Sequence, residues 1–332
     1  MNWQEWYDGL LSTSWSPEAG EPDQRLDPVR EGLGLLRHRR RQLGFPEGNP
    51  LDDERRIADQ FRLANEPWFQ TRDLLRDFPD LVAILDPLWE RVVPLLIKGN
   101  EVSPVHHIPF VVLFMTQIGL VELAPSDMKR GILASLLHDI GIGDSILPKI
   151  GEITLQKARP EERERLRQDG IRSRLEHMRH GAVISVNLLR NHQRQHPDSL
   201  SDEDLAAIVD IVATHDNSKI PLMEDVAEIK WLLSPNRSDW LKQCHWEADA
   251  LWMLSPAGIL VDLLRQNEAD TPANRKSKFQ FNLGLHAKIV SLYRDACSDE
   301  EMASFGFREG LLYRSQAGYG LCEHFMKLAA EL

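Results

Sequence analysis

Apolar residues in this chain recur three and four positions apart over long stretches, and the strict alternation that marks a half-buried strand is scarce. That period turns one face of a helix toward a core and predicts an all-α fold. Downstream of Pro104, helices are expected at 107–120, 126–139, 172–191, 201–214, 227–233, 240–254, 258–266, 284–296 and 318–332. Ser126 and Ser201 are the candidate N-caps, and the Asp202, Glu203 and Asp204 that follow Ser201 suit a helix N-terminus. Upstream, helical patterns cover 28–44, 53–65 and 71–97, with a Gly/Pro-rich turn at 44–50. Pro67, Pro79, Pro87 and Pro94 are expected to cut this region into short pieces. Residues 13–28 lack a regular period and read as a loose connection, and the basic run at 37–41 reads as a solvated helix face.

Charge narrows the partners. A formal charge of −12, from 51 acidic and 39 basic side chains, repels extended nucleic acid and anionic lipid. It leaves room for a small phosphorylated ligand, because a buried metal reverses the local potential whatever the global sign. Cys244, Cys297 and Cys322 are widely spaced and form no CxxC pair, so neither a disulfide framework nor a thiolate zinc site is expected. No basic segment followed by an apolar stretch opens the chain, and 110–124 is too short to span a bilayer. A cytoplasmic protein in a reducing compartment, without a membrane partner, is the expectation.

Several of the 12 histidines stand inside apolar helical segments beside carboxylates, where an unpaired imidazole is costly to bury. The sharpest case is Leu136-Leu137-His138-Asp139-Ile140-Gly141, an apolar helix ending in an imidazole and a carboxylate that can bind one cation or bridge two. Gly141 then lets the chain pass close to that site. His106 and His107 precede another apolar helix, and His177, His180, His215 and Asp249 lie downstream in helical segments.

This order resembles the HD superfamily, whose pattern is a histidine, a His-Asp doublet about thirty residues on, and a distal aspartate. The doublet, Asp144 to Lys149, Gly151 to Thr154 and the His177-Met178-Arg179-His180-Gly181 segment look like the HD-GYP phosphodiesterases, while Ala248-Asp249-Ala250-Leu251 resembles the block that supplies the last aspartate in other HD hydrolases. On that ground Asp249 is preferred to Asp262. The resemblance spans roughly 100–265. It departs at the GYP signature, which is missing, so cyclic dinucleotide hydrolysis is not expected. Ile142 stands where a lysine commonly follows the doublet, leaving Lys149 or Lys219 to replace its phosphate contact, and Ser103 stands where a third metal would need a glutamate.

The resemblance implies a helical bundle at 101–268 that binds metal and carries catalysis, while residues 1–95 and 270–332 fall outside it, and their apolar pattern alone gives a helical N-terminal region at 1–100 and a C-terminal helical extension at 269–332. It implies one cation held by His107, His138, Asp139 and Asp249, and a second held by His177 and His215 with Asp139 bridging. Imidazole and carboxylate donors suit iron, manganese, zinc, nickel or cobalt, one ion or two. Neighbouring helical residues point about 100° apart, so His106 and His107 do not share a metal, and His107 continues the apolar face of Val111. His180 is either a further acid near the site or a solvated residue, Asp216 either accepts a ring proton or is solvated, and Arg179, Lys149 and Lys219 are candidate phosphate contacts. His192, His196, His245, His286 and His324 read as structural or surface residues. The charged stretch 157–174 is a lid or a plain exposed helix. The implied activity is hydrolysis of a phosphoester, in a nucleotide or small phosphorylated metabolite, by metal-activated water. Alternatives are a mixed-valence di-iron oxygenase and a non-catalytic signalling module.

Overall fold

A computed structural model gives the fold and describes residues 27–42, 67–99, 107–144, 159–216, 240–265 and 268–332. Helices dominate these residues and no strand occurs among them, so the fold is all-α. In chain order they are α1 (Asp27–Gln42), α2 (Pro79–Gly99), α3 (His107–Glu122), α4 (Pro125–Leu137), a 3-10 turn (Ile140–Asp144), α5 (Pro160–Gln195), α6 (Asp202–Thr214), α7 (Trp240–Trp252), α8 (Pro256–Arg265), α9 (Pro272–Ala296), α10 (Asp299–Phe305) and α11 (Gln316–Ala330). Residues 67–74 add a short helical segment before α2. No helix among the described residues is long and apolar enough to cross a membrane.

The architecture follows from α3, which has no polar face and is buried from His107 to Thr116. A helix of that kind has to lie in a core, and α4, α7 and α11 pack around it. α5 pairs with α6, α6 also packs on α4, and the 3-10 turn touches both α2 and α5. One apolar cluster runs from Leu33 in α1 through Leu88, Ile118, Leu137 and Leu251 to Phe325 in α11. A smaller one joins Trp246 of α7 to Ile289, Val290 and Tyr293 of α9 and to Leu312.

Two polar devices fix helix positions. Asp204 closes a capping box with Ser201 at the start of α6 and also accepts from Lys129 Nζ at 2.6 Å and Arg130 Nε at 2.8 Å on α4. Burial raises the Asp204 pKa, but the bonds from Lys129, the Ser201 backbone and Arg130 outweigh it and hold the carboxyl at about 2. At the other end, the buried Glu247 of α7 accepts from the backbone N–H of Arg314 at 2.7 Å, from Ser315, and from Gln243 Nε2 at 2.7 Å. Ser315 is the N-cap of α11, so this carboxylate sits at the positive end of that helix. Burial raises its pKa against the pull of those donors.

Several expectations are corrected. Ser126 lies inside α4, which begins at Pro125 after Ala124 with no side-chain cap, since proline's fixed φ and missing N–H suit the first helical position. Pro87 and Pro94 do not break α2, because the burial of Leu88, Trp89, Val92, Val93, Leu96 and Ile97 offsets the lost backbone bonds. The helix expected from 172 begins at Pro160, so from there the charged stretch agrees with the plain exposed-helix reading, forming the largely exposed first half of a continuous α5 supported by the Arg159–Glu162 and Glu164–Arg167 pairs. α9 starts at Pro272 rather than 284, and α10 was not anticipated. The expected segments at 13–28 (but for its last two residues), 44–50, 53–65 and 227–233 lie outside the described residues.

Asp204→Ala removes the bond from the Ser201 backbone N–H, which is the carboxylate's half of the capping box, together with the ion pairs to Lys129 and Arg130. It is expected to lower unfolding free energy by about 2 kcal/mol, read as a lower denaturant midpoint at unchanged slope; a shift too small to measure would show that the network does not hold α4 to α6.

Candidate metal centre

Five separate elements meet at one buried point. His107 opens α3; His138 and Asp139 follow the last residue of α4; His177 sits on the buried side of α5; His215 caps the C-terminus of α6; and Asp249 lies on α7. All six side chains are buried, with His107 the most accessible at 8% and Asp139 at 4%.

The distances describe two groups that share a carboxylate. Oδ2 of Asp139 is 3.3 Å from His107 Nε2 and 3.9 Å from His138 Nε2, and those two nitrogens are 3.3 Å apart. Its other oxygen, Oδ1, is 3.5 Å from His177 Nε2 and 3.4 Å from His215 Nε2, which stand 3.1 Å from each other. Asp249 Oδ1 approaches His138 Nε2 at 3.6 Å. Each group, His107–His138–Asp139 and Asp139–His177–His215, can hold a metal ion.

The ring orientations test that fit. Nδ1 of His138 faces the Ser135 carbonyl at 2.8 Å, Nδ1 of His177 the Ser173 carbonyl at 3.3 Å, and Nδ1 of His215 the Val212 carbonyl at 2.8 Å. A carbonyl only accepts, so in the neutral rings the proton is on Nδ1 and each Nε2 presents a lone pair to the centre. Lone pairs aimed at one another beside a carboxylate repel unless a cation lies between them. Donor atoms about 2.1 Å from a cation stand about 3.0 Å apart at octahedral and about 3.4 Å apart at tetrahedral angles. The separations of 3.1 to 3.5 Å around Asp139 Oδ1 match that spacing.

Burial pushes the His138 imidazole down to about 4, against the opposing pull of Asp139 and Asp249, with His215 and His107 adding to the lowering. The ring is therefore neutral at pH 7, the form that binds metal.

Glycine makes the assembly possible. A Cβ on Gly141 would overlap the backbone carbonyl of His177 and the backbone nitrogen of Gly181, so the turn carrying the doublet lies against the backbone of α5. Gly181 completes the contact, facing Val212 and the His138 carbonyl.

The remaining sequence candidates are placed differently. Arg179 is exposed, two residues and so about 200° around the helix from His177, and stands apart from the buried groups. His180 is half-buried, and its Nδ1 has no hydrogen-bond partner among the described residues. Lys149, Lys219 and His106 lie outside the described residues, as does the Asp262 side chain. Asp216 is not solvated: it is fully buried, its Oδ2 3.4 Å from His177 Nε2.

Two side chains were missed. His245, read as structural or surface, is buried with its ring 5.4 Å from that of His138, and its Nδ1 meets Ser135 Oγ at 2.9 Å. Arg174 is buried and donates from Nη1 to Asp216 Oδ2 at 2.7 Å. Both had a signal: His245 is one turn before Asp249 and Arg174 one turn before His177, which puts each pair on one helix face. No family model, curated protein or solved structure matches the chain.

Gly141→Ala is expected to cost several kcal/mol, on the order of a severe overpacking substitution, because backbone cannot yield as a side chain does. A thermal melt indistinguishable from the parent would contradict the close approach. A second expectation concerns pH. The unfolded state takes up a proton at His138 near the ordinary 6.5 while the folded state resists it until about 4. Stability of the metal-free chain from this group is thus complete above about 6.5 and falls as pH drops from there toward 4. The loss in that window is expected to shrink in His138→Asn, measured by chemical denaturation at stepped pH.

Proposed function

We propose that the chain is a metal-dependent phosphohydrolase of the HD superfamily, acting on a phosphoester in a nucleotide or small phosphorylated metabolite. The observation that carries this reading is the shared Asp139 carboxylate, with one oxygen toward His107 and His138 and the other toward His177 and His215. Such a bridge supports two cations, and a donor set of imidazole and carboxylate without thiolate favours iron, manganese, zinc, nickel or cobalt with positions left open for substrate. When bound, the metal supplies a Lewis acid for a phosphoryl oxygen and acidifies water for attack.

The chain's own residues do the rest. His107, His138, Asp139 and Asp249 hold the first position, and His177 and His215 the second, their ring tilt set by the Nδ1–H bonds to carbonyls where these are present. Asp216, beside His177, is placed to take or return a proton, and His180 offers a second such group. Arg179 is too exposed to serve as the phosphate contact, which passes to other cations. The excess of acidic side chains keeps extended polyanions away and favours a small substrate.

Anaerobic purification followed by elemental analysis should find on the order of two divalent transition-metal ions per chain, and His138→Ala should lose at least one. Turnover of a panel of phosphomonoesters, phosphodiesters and nucleotides with Mn, Fe, Zn, Ni or Co should fall roughly 100-fold or more in that variant. Uniform inactivity across the panel with metal in place would defeat the hydrolase, and a coupled mixed-valence iron signal in electron paramagnetic resonance would redirect it to oxygen chemistry.

A further inference from the structure

We infer that Arg174 is the anion-binding group of this site, receiving a phosphoryl oxygen of the substrate beside the position held by His177 and His215. The inference rests on the metal-centre reading above and deepens it by naming the side chain that recognises the substrate.

Arg174 lies one helical turn before His177 on α5 and is 7% exposed. Its Nη1 donates to Asp216 Oδ2 at 2.7 Å, and that same oxygen is 3.4 Å from His177 Nε2. The guanidinium therefore stands one carboxylate away from the second ligand group.

Its hydrogen bonding is incomplete. A guanidinium has five N–H groups in a planar fork, and among the described residues this one makes a single bond, with Nε buried and without a partner. If Arg174 served only to neutralise Asp216, a two-point fork on the carboxylate would be the stable arrangement. The one-point contact instead leaves the Nε edge unused inside the protein, where an unsatisfied donor is costly. An oxyanion with several acceptor oxygens satisfies that edge, and phosphate matches the fork in both spacing and charge.

Local charge agrees. Asp139, Asp216 and Asp249 make the metal-free centre acidic, but two divalent cations outweigh three carboxylates, and Arg174 adds to the positive surplus. An anion entering then meets attraction from the metals and a directed donor from the protein.

The test is calorimetric titration of inorganic phosphate into the Mn-loaded full-length chain, with acetate as a parallel arm. Phosphate should bind and acetate should bind much more weakly. Arg174→Met should weaken phosphate binding roughly 10- to 100-fold with metal content unchanged, and Arg174→Lys should recover part of the loss. Because Arg174→Met strands Asp216, the pair Arg174→Met/Asp216→Asn is measured as well, a variant without the buried charge imbalance. If that pair folds, keeps its metal and binds phosphate as the parent does, the inference is overturned, and equally so if the metal-loaded parent binds no phosphate or binds acetate as tightly. A parent that takes up no metal defeats the metal-centre reading instead; phosphate titrated into the metal-free chain then decides, with Arg174-dependent binding sustaining the assignment and its absence ending it.

Discussion

Everything at the centre of this molecule depends on one carboxylate in a place that excludes water. Asp139 is 4% exposed, and its two oxygens face two separate pairs of imidazoles. A lone buried carboxylate is expensive, so the site is arranged to receive positive charge. His138 does not supply it by protonation, since burial keeps that ring neutral to about 4. In neutral rings the backbone carbonyls at Ser135, Ser173 and Val212 occupy Nδ1 and leave Nε2 as a lone pair. The core is thus rich in acceptors and could hold a metal ion, and the binding free energy of any cation taken up by the folded chain alone would add to its stability.

The helices are arranged to deliver these groups from their ends. His107 begins one helix, the His138–Asp139 doublet follows the end of another, and His215 caps a third. A helix terminus lets a ring turn into the centre without crossing its own backbone ridge, and the nearby unpaired carbonyls of the last turn are the acceptors that fix ring orientation. His177 is the exception, in mid-helix, and there the approach is achieved by the glycines at 141 and 181, which bring two backbones into contact.

Much of this was legible in the sequence, for identifiable reasons. The helical period located α3, α4, α6 and α7 to within a few residues, because each has a face or a whole circumference of apolar side chains. The first half of α5 and the start of α9 were unreadable by that route: they are polar and are held by local ion pairs and caps such as Thr271 with Asn274. The prolines of α2 misled because propensity is local while the burial that overrides it is not. For the site, residue types and order pointed to His107, His138, Asp139, His177 and His215, which the fold brings within a few ångströms of one another. Arg174 escaped notice because its meaning depends on Asp216, 42 positions away, and arginines are ordinarily solvated. His245 escaped because a serine hydroxyl, which carries no pattern, is what anchors it.

The Glu247 contact gives the far end of the chain a stake in this centre. Glu247 is two residues from both His245 and Asp249, and its negative charge is satisfied by amides and a hydroxyl at the head of the last helix. Trimming the final segment would leave that charge with Gln243 in place of its amide and hydroxyl donors, in the interior of the very helix that supplies Asp249. For anyone engineering the protein, the C-terminal helix is a structural clasp rather than a dispensable tail.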